Sequence, residues 1–398
     1  MSGSHRAETV KDGHPRRPLG RHRRAVRSWR VLYTISLVVT SLGLGAFSTV
    51  ALMVFDLNSR LHGVDISGQT GTTPAVRATT VAPRDPMDPF SGRAINIAVF
   101  GTDSREGGNA KIATDNVGGV RSDVAMIVHV SARRDRIDIV SIPRDTTVTI
   151  PPCQLSDGTM TGLPWTTKFN AAFSRGGEKG SMTDGAACAI KTIQEVSDIR
   201  IDEYAIIDFT GFIKMINALG GVDMCIDHRM ASRDAKLDLE PGCHHLKGKT
   251  ALAYARARTG EGLGDGSDLG RIDRQHELLS AIFSEVNKKN LLTSGPSLYH
   301  FLQALADSIV VSPGLDRVQE IAGFALSLRG IGSDRVEAMT APYAGDPNDD
   351  ANVILTSEAT KVFDALAEDR PLPGSKAAKA AKKTAQATRS PSPTVGAP

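Results

Sequence analysis

From Ala94 onward, near-continuous apolar runs alternate with short charged punctuation. AINIAVF (94–100), VAMIVHVS (124–131) and RIDIVSI (136–142) carry few charges and read as strands covered on both faces. The short polar connection Ala132-Arg133-Arg134-Asp135 between the second and third predicts an antiparallel hairpin. Each run ends beside charge, which places Asp103, Arg105, Arg121, Asp123, Arg144 and Asp145 near strand ends. Residues 106–120, EGGNAKIATDNVGGV, are Gly-rich and read as a loop; without a GxxxxGK[ST] motif they are not a nucleotide-type phosphate loop.

Helical periods dominate further on. In KFNAAFSRGG (168–177) a helix is expected from about Ala171, with Asn170 near its cap and the glycines ending it. Gly185–Glu195 is amphipathic, and 201–227 reads strand, helix, strand, with Gly220-Gly221 making the turn. LKGKTALAYARAR (246–258) predicts a helix leading to Arg256 and Arg258. These two share no helical face, so both reach one ligand only if the chain leaves the helix there. After the loop GEGLGDGS, a long helix starts at Asp268; Arg271 and Gln275 share a face, Asp268 can orient Arg271, and Arg274 is expected at the surface. SLYHFLQALADSIV and VQEIAGFALSLRG read as helices, VEAMTAP as a strand and Ser357–Leu366 as a last helix.

The flanks are different. Nine Lys or Arg precede Val31, against Glu8 and Asp12, and Val31–Phe55 then runs 25 residues without a charge. About 20 apolar residues suffice to cross a bilayer, whereas a cleaved signal has a shorter apolar region ending in small residues, so an uncleaved anchor is expected. The positive-inside rule places residues 1–30 as a basic cytoplasmic tail, 31–55 as a transmembrane helix and everything later outside, in the plasma membrane of a single-pass protein. A cytoplasmic arm of this length is too short for a DNA-binding fold. Residues 56–93, rich in Gly, Thr, Ser and Pro, read as an extracytoplasmic linker, 94–370 as the main folded domain and 371–398 as a disordered basic tail. The overall formal charge of +3 says little about partners.

Acids and arginines together suit a metal-bound polyphosphate: carboxylates hold a hard cation and guanidinium forks hold phosphoryl oxygens. GTDSR, RSDVAMIVHVS and SIPRDT, followed by KFNAAF, YARAR and DLGRIDRQ, resemble in sequence and order the motifs of the LytR–CpsA–Psr family of cell-envelope glycopolymer ligases, from about Ala94 to Pro342. The resemblance implies an α/β/α sandwich with a central mixed sheet. It implies a substrate too, a glycopolymer on a polyprenyl-pyrophosphate carrier, transferred to a peptidoglycan hydroxyl. Mg²⁺ (or Mn²⁺) would sit on Asp103 and Asp123, with Arg105, Arg121 and Arg144 at the reacting phosphates. Lys168, Asn170, Arg256, Arg258, Arg271 and Gln275 would contact the pyrophosphate. Asp145 and Asp268 are the candidates for a general base. Two other functions use similar residues: a pyrophosphatase with water as acceptor, and a non-catalytic lipid-pyrophosphate-binding module.

The four cysteines, Cys153, Cys188, Cys225 and Cys243, all follow the apolar span, where disulfides are favoured. Of three possible pairings, Cys153–Cys188 with Cys225–Cys243 is expected, because it closes two successive loops. Cys243-His244-His245 is a poor metal set, since adjacent side chains rarely face one ion. No histidine sits in a hydrolase-triad motif.

Overall fold

The computed structural model describes residues 21–71, 88–102, 120–179, 181–264, 266, 268–289, 295–306 and 309–380. Asp103, Arg105, most of the Gly-rich loop, the extreme N-terminal tail and residues 381–398 lie outside these. The chain divides into two units, Met1–Phe55 and Asp56–Pro398. Described residues of the first form one helix, α1 (Arg21–Arg60), whose last turn belongs to the second. From Trp29 to Arg60 this helix is long and apolar enough to cross a membrane.

The second unit opens with β1 (His62–Gly63), α2 (Ser67–Thr70), β2 (Ile95–Thr102), β3 (Ser122–Val130) and β4 (Ile137–Ser141). There follow β5 (Thr147–Ile150), β6 (Trp165–Lys168), α3 (Asn170–Gly176), α4 (Met182–Ser197), β7 (Glu203–Asp208) and α5 (Phe209–Ala218). A smaller lobe contains β8 (Val222–Ile226), β9 (Met230–Ser232), β10 (Leu237–Leu239), β11 (Gly242–Leu246), α6 (Gly248–Arg256) and α7 (Asp268–Lys288). The remainder is α8 (Gly295–Ala306), β12 (Ile309–Val311), α9 (Val318–Ser327), β13 (Val336–Thr340), β14 (Tyr343–Asp346), β15 (Asp349–Leu355) and α10 (Ser357–Ala367).

Seven strands form the main sheet in the order β1-β12-β7-β2-β3-β4-β13. The β2–β3 and β3–β4 pairs are antiparallel, whereas β7 lies parallel to β2 and β13 parallel to β4. Side chains alternate across this sheet as the strand period requires. Ala98, Phe100, Ile127 and Val140 pack against α3, α4 and α10, and Ile95, Ile97, Met126 and Ile139 pack against α8 and α9. The result is the expected α/β/α sandwich with a mixed sheet. A third apolar cluster joins α5, α6 and α7 to β8–β11. Gly220 and Gly221, with φ of 86° and 112°, make the turn from α5 into β8 where an L side chain would be strained.

Three expectations need correction. Residues 56–93 are not simply a spacer: Leu57, Leu61, Ile66 and Phe90 are buried core and β1 pairs with β12. Isolated apolar residues among Gly, Ser and Thr carry no period, so only their partners identify them. SLYHFLQALADSIV is not one helix either, because Ile309–Val311 is a strand pairing with β7. The tail expected from residue 371 starts later; Leu372 is 1% exposed within the α10 side of the core.

Just before Leu372, Asp369 closes a polar network at the end of the sheet remote from the Asp123 terminus. It accepts from the Arg136 guanidinium at 2.7 Å and lies 3.1 Å from Nε2 of the fully buried His129, whose Nδ1 is 2.8 Å from Asn96 Oδ1. Arg136 also donates to Asp138.

Both expected disulfides are present, Cys153–Cys188 and Cys225–Cys243. They close loops separated by 35 and 18 residues, each contributing about 3–4 kcal/mol on the chain-entropy model. Reduction is therefore expected to lower the denaturant midpoint clearly. An unchanged midpoint, or free thiols in non-reducing peptide maps, would count against both bridges.

Candidate active site

The strand directions bring several termini to one edge. The carboxyl ends of β2, β4, β7 and β13 lie there beside the start of β3, the position where open α/β sheets present ligand-binding groups. Asp123 comes from the first residues of β3, and Arg144 and Asp145 from the turn after β4. Lys168 closes β6, and Asp268 and Arg271 come from the first turn of α7. The backbone N–H of Asn170 donates to the Arg144 carbonyl at 3.0 Å, tying the start of α3 to that turn.

Arg144 is the hub. Its guanidinium donates to Asp123 Oδ1 at 2.7 Å and lies 3.4 Å from Asp145 and 3.6 Å from Asp268. Arg271 contacts Asp268 through one terminal nitrogen, which also donates to the Asp123 carbonyl at 2.7 Å; its other terminal nitrogen is 3.9 Å from Asp123 Oδ2. Lys168 reaches Asp145 at 3.1 Å. The Asp268 and Arg271 side chains are only 5% and 4% exposed, whereas the Asp123 carboxylate is 36% exposed.

Electrostatics separates the acids. Burial opposes ionisation of Asp123, but Arg271, Arg144 and Arg258 outweigh it and hold the carboxyl below its ordinary range. At Asp268 burial wins over Arg271 and Arg144, and its carboxyl is pushed up. Burial likewise pulls the Arg271 guanidinium down against Asp268 and Asp123.

The chain leaves α6 at Ala257 (ψ 128°), as the two nearby arginines require. Arg258 is half-buried, acts on Asp123 and Arg271, and keeps a buried Nε without a hydrogen-bond partner among the described residues. Arg256 lies with its guanidinium 4.2 Å from the centroid of Phe209, at the start of α5. Gln275 donates to the Ala255 carbonyl at 3.2 Å and so joins α7 to α6. Arg121 is exposed two residues before Asp123.

Arg274 is not at the surface, as expected, but 6% exposed. Its guanidinium donates to the Ala257 and Leu263 carbonyls and pins the chain on either side of Arg258. Carbonyl acceptors leave no trace in a side-chain pattern, so helix periodicity could not find this role. The Phe209 platform was hidden for a similar reason, since it reads as one more apolar residue at a helix start.

Among the described residues no group of three or more His, Cys, Asp or Glu could hold a metal ion unaided. The Asp123 carboxylate is 36% exposed, and its Oδ2 lies 3.9 Å from Arg271. One or two carboxylates completed by phosphoryl oxygens is the way Mg²⁺ is commonly bound, so this donor set is compatible with it.

Arginines, a lysine and acids from four segments thus meet at one edge of the sheet of an α/β/α domain. The LytR_cpsA_psr family model matches residues 64–368, and the chain belongs to that family. It is 30% identical over 328 residues to the probable cell wall biosynthesis protein LcpB of Corynebacterium glutamicum, covering 80% of this chain and 68% of that one. It is 28% identical to the polyisoprenyl-teichoic acid–peptidoglycan teichoic acid transferase TagU of Halalkalibacterium halodurans, covering 73% and 80%. The crystal structure of Bacillus subtilis TagV superposes with a TM-score of 0.51 at 26% identity, over 70% of this chain and 98% of that one.

Proposed function

We propose that the protein is a membrane-anchored transferase that moves a glycopolymer from a polyprenyl-pyrophosphate carrier to a peptidoglycan hydroxyl outside the cell. The observation that carries this reading is the convergence of Arg144, Arg258 and Arg271 on one edge, with a buried guanidinium nitrogen of Arg258 left without a hydrogen bond. Collecting like charges is unfavourable unless an anion or neighbouring acids complete the arrangement; Asp123, Asp145 and Asp268 balance Arg144, Arg271 and Lys168, whereas Arg258 forms no ion pair among the described residues. The transferase name of TagU supplies the anion's class, a lipid-linked polymer.

In this reading the acceptor oxygen attacks the glycan-bearing phosphorus, the bond to the carrier phosphate breaks, and polyprenyl phosphate leaves. Arg144, Arg258 and Arg271 hold the phosphoryl oxygens where negative charge grows, with Arg121, Arg256, Lys168 and Asn170 at the rim. Asp145, 19% exposed, is better placed than the occluded Asp268 to take the hydroxyl proton. Asp268 then positions Arg271 and Arg144. Mg²⁺ or Mn²⁺ on Asp103 and Asp123 would supply further charge neutralisation.

Incubating the anchored protein with lipid-linked polymers and peptidoglycan is expected to yield polymer-bearing peptidoglycan. Release of free phosphorylated polymer alone would indicate a pyrophosphatase, and binding without turnover a carrier-binding module. Orientation is read separately: protease added to spheroplasts should digest the second unit. Arg258→Ala should forfeit a charge-assisted bond worth about 1.5–3 kcal/mol. That is roughly 10- to 150-fold in polyprenyl-pyrophosphate affinity. Its melting temperature should not fall, because repulsion with Arg271 is relieved. A variant that melts early and binds normally would make Arg258 structural.

A further inference from the structure

Between Pro151 and Lys168 the chain makes an excursion that ends at the candidate site; Leu155 turns into the core, but three large apolar side chains face outward. Met160 is 57% exposed, Leu163 85% and Trp165 52%. Elsewhere in the second unit only Val64 and Tyr343 are exposed large apolar residues among those described, both below 40%. Three such residues within six positions form a concentrated patch.

This excursion is held in place. Cys153 is bonded to Cys188 of α4, and Thr161 accepts from the Cys153 amide at 2.8 Å through its hydroxyl. Arg175 of α3 donates to the carbonyls of Gly162 and Leu163, fixing the backbone of the most exposed residue. Lys179 binds Asp157 at 2.6 Å, and Lys191 donates to Pro152 O at 2.8 Å. Conformational freedom of the backbone does not explain why these apolar side chains face outward.

We propose that Met160, Leu163 and Trp165 seat this face of the domain in the interfacial layer of the membrane. Three observations favour a bilayer over another occupant. The apolar span ends at Phe55 and Leu57 is already core, so the domain cannot move far from the membrane that α1 is suited to cross. Lys179 is neutralised by Asp157, but the half-buried Arg175 and Lys191 donate to backbone carbonyls and form no ion pair among the described residues, a positive excess over the exposed Glu178 that complements anionic headgroups. An indole with Leu and Met within six positions is also the mix found at membrane interfaces. The inference draws on the proposed function in one respect. Trp165 lies about 10 Å of strand from Lys168, so a seated patch would bring the arginine cluster to the depth of a lipid-borne pyrophosphate.

Trp29 and Trp165 are the two tryptophans of the chain, so Trp29→Phe leaves Trp165 as the sole indole. The full chain carrying this substitution is reconstituted in anionic liposomes containing lipids brominated about 5–10 Å below the headgroups, the depth reached by interfacial apolar side chains. Trp165 emission is expected to shift to the blue and fall about twofold relative to non-brominated liposomes, with Leu163→Glu abolishing both effects. Emission of a water-exposed indole, indifferent to bromine, would overturn the proposal. So would protection that appears only with peptidoglycan fragments, or only at high protein density in detergent, which would assign the patch to a glycan or a second copy. The readout needs no turnover, so failure of the transfer reaction would leave a positive result standing.

Discussion

Asp123→Ala is expected to reduce transfer by about 10²–10³-fold or more, the scale on which removing one preorganised charge-stabilising group acts. Asp123 contacts Arg144 and Arg271 and is the most exposed acid of the cluster, 36% against 19% for Asp145 and 5% for Asp268. Stability should change little. Arg144 keeps Asp145 and Asp268, Arg271 keeps Asp268, and the lost group was 36% exposed. Transfer assays and thermal melts on the same preparation separate the two effects. A fully active variant, or wild-type activity persisting in excess chelator, would refute the role assigned to Asp123 and the ion.

Asp268→Ala should do the opposite and lower stability by about 3–5 kcal/mol, as expected when one partner of a buried ion pair is removed. Arg271 would remain 4% exposed with the partly exposed Asp123 at 3.9 Å as its nearest carboxylate, and Arg144 would lose one of three acids. Burial already pushes the Asp268 carboxyl up, so the pair is held against a desolvation cost. Denaturant unfolding measures the loss. A change below about 1 kcal/mol would show Arg271 to be better solvated than its burial indicates.

The sheet centre was legible because β2, β3 and β4 combine apolar runs with a short hairpin connection, and alternation across a covered sheet leaves little else they could be. Charges at their ends were legible as a site for the same reason. What escaped was set by partners distant in sequence. Ile309–Val311 continues a helical pattern and becomes a strand because β7 and β1 need a neighbour. Phe90 and Leu372 sit among Pro, Gly and Ser and Leu57 at the end of α1, and all three are identified only by the core they join. At the site, spacing found the arginines but not their division of labour. Arg274 holds the carbonyls on either side of Arg258, while Arg258 acts on Asp123 and Arg271.

The placement of the two ends of the domain sets a limit on the order in which it can be made. The ribosome delivers Leu57 and β1 first, yet the strand that β1 pairs with lies about 250 residues later, at Val310 and Val311. Asp369 and Leu372, which cap the far end of the sheet, arrive later still. A nascent chain can form the β2–β3–β4 meander early, since its contacts are local, but both outer edges of the sheet wait for β12 and β13, beyond residue 308. During that interval the β4 and β7 edges are open to wrong partners, and the cysteines, all made by residue 243, can already be oxidised. Early bridging of Cys153–Cys188 would then fasten α4 to the excursion after β5 before the sheet is complete, turning a stabilising link into a guide for assembly.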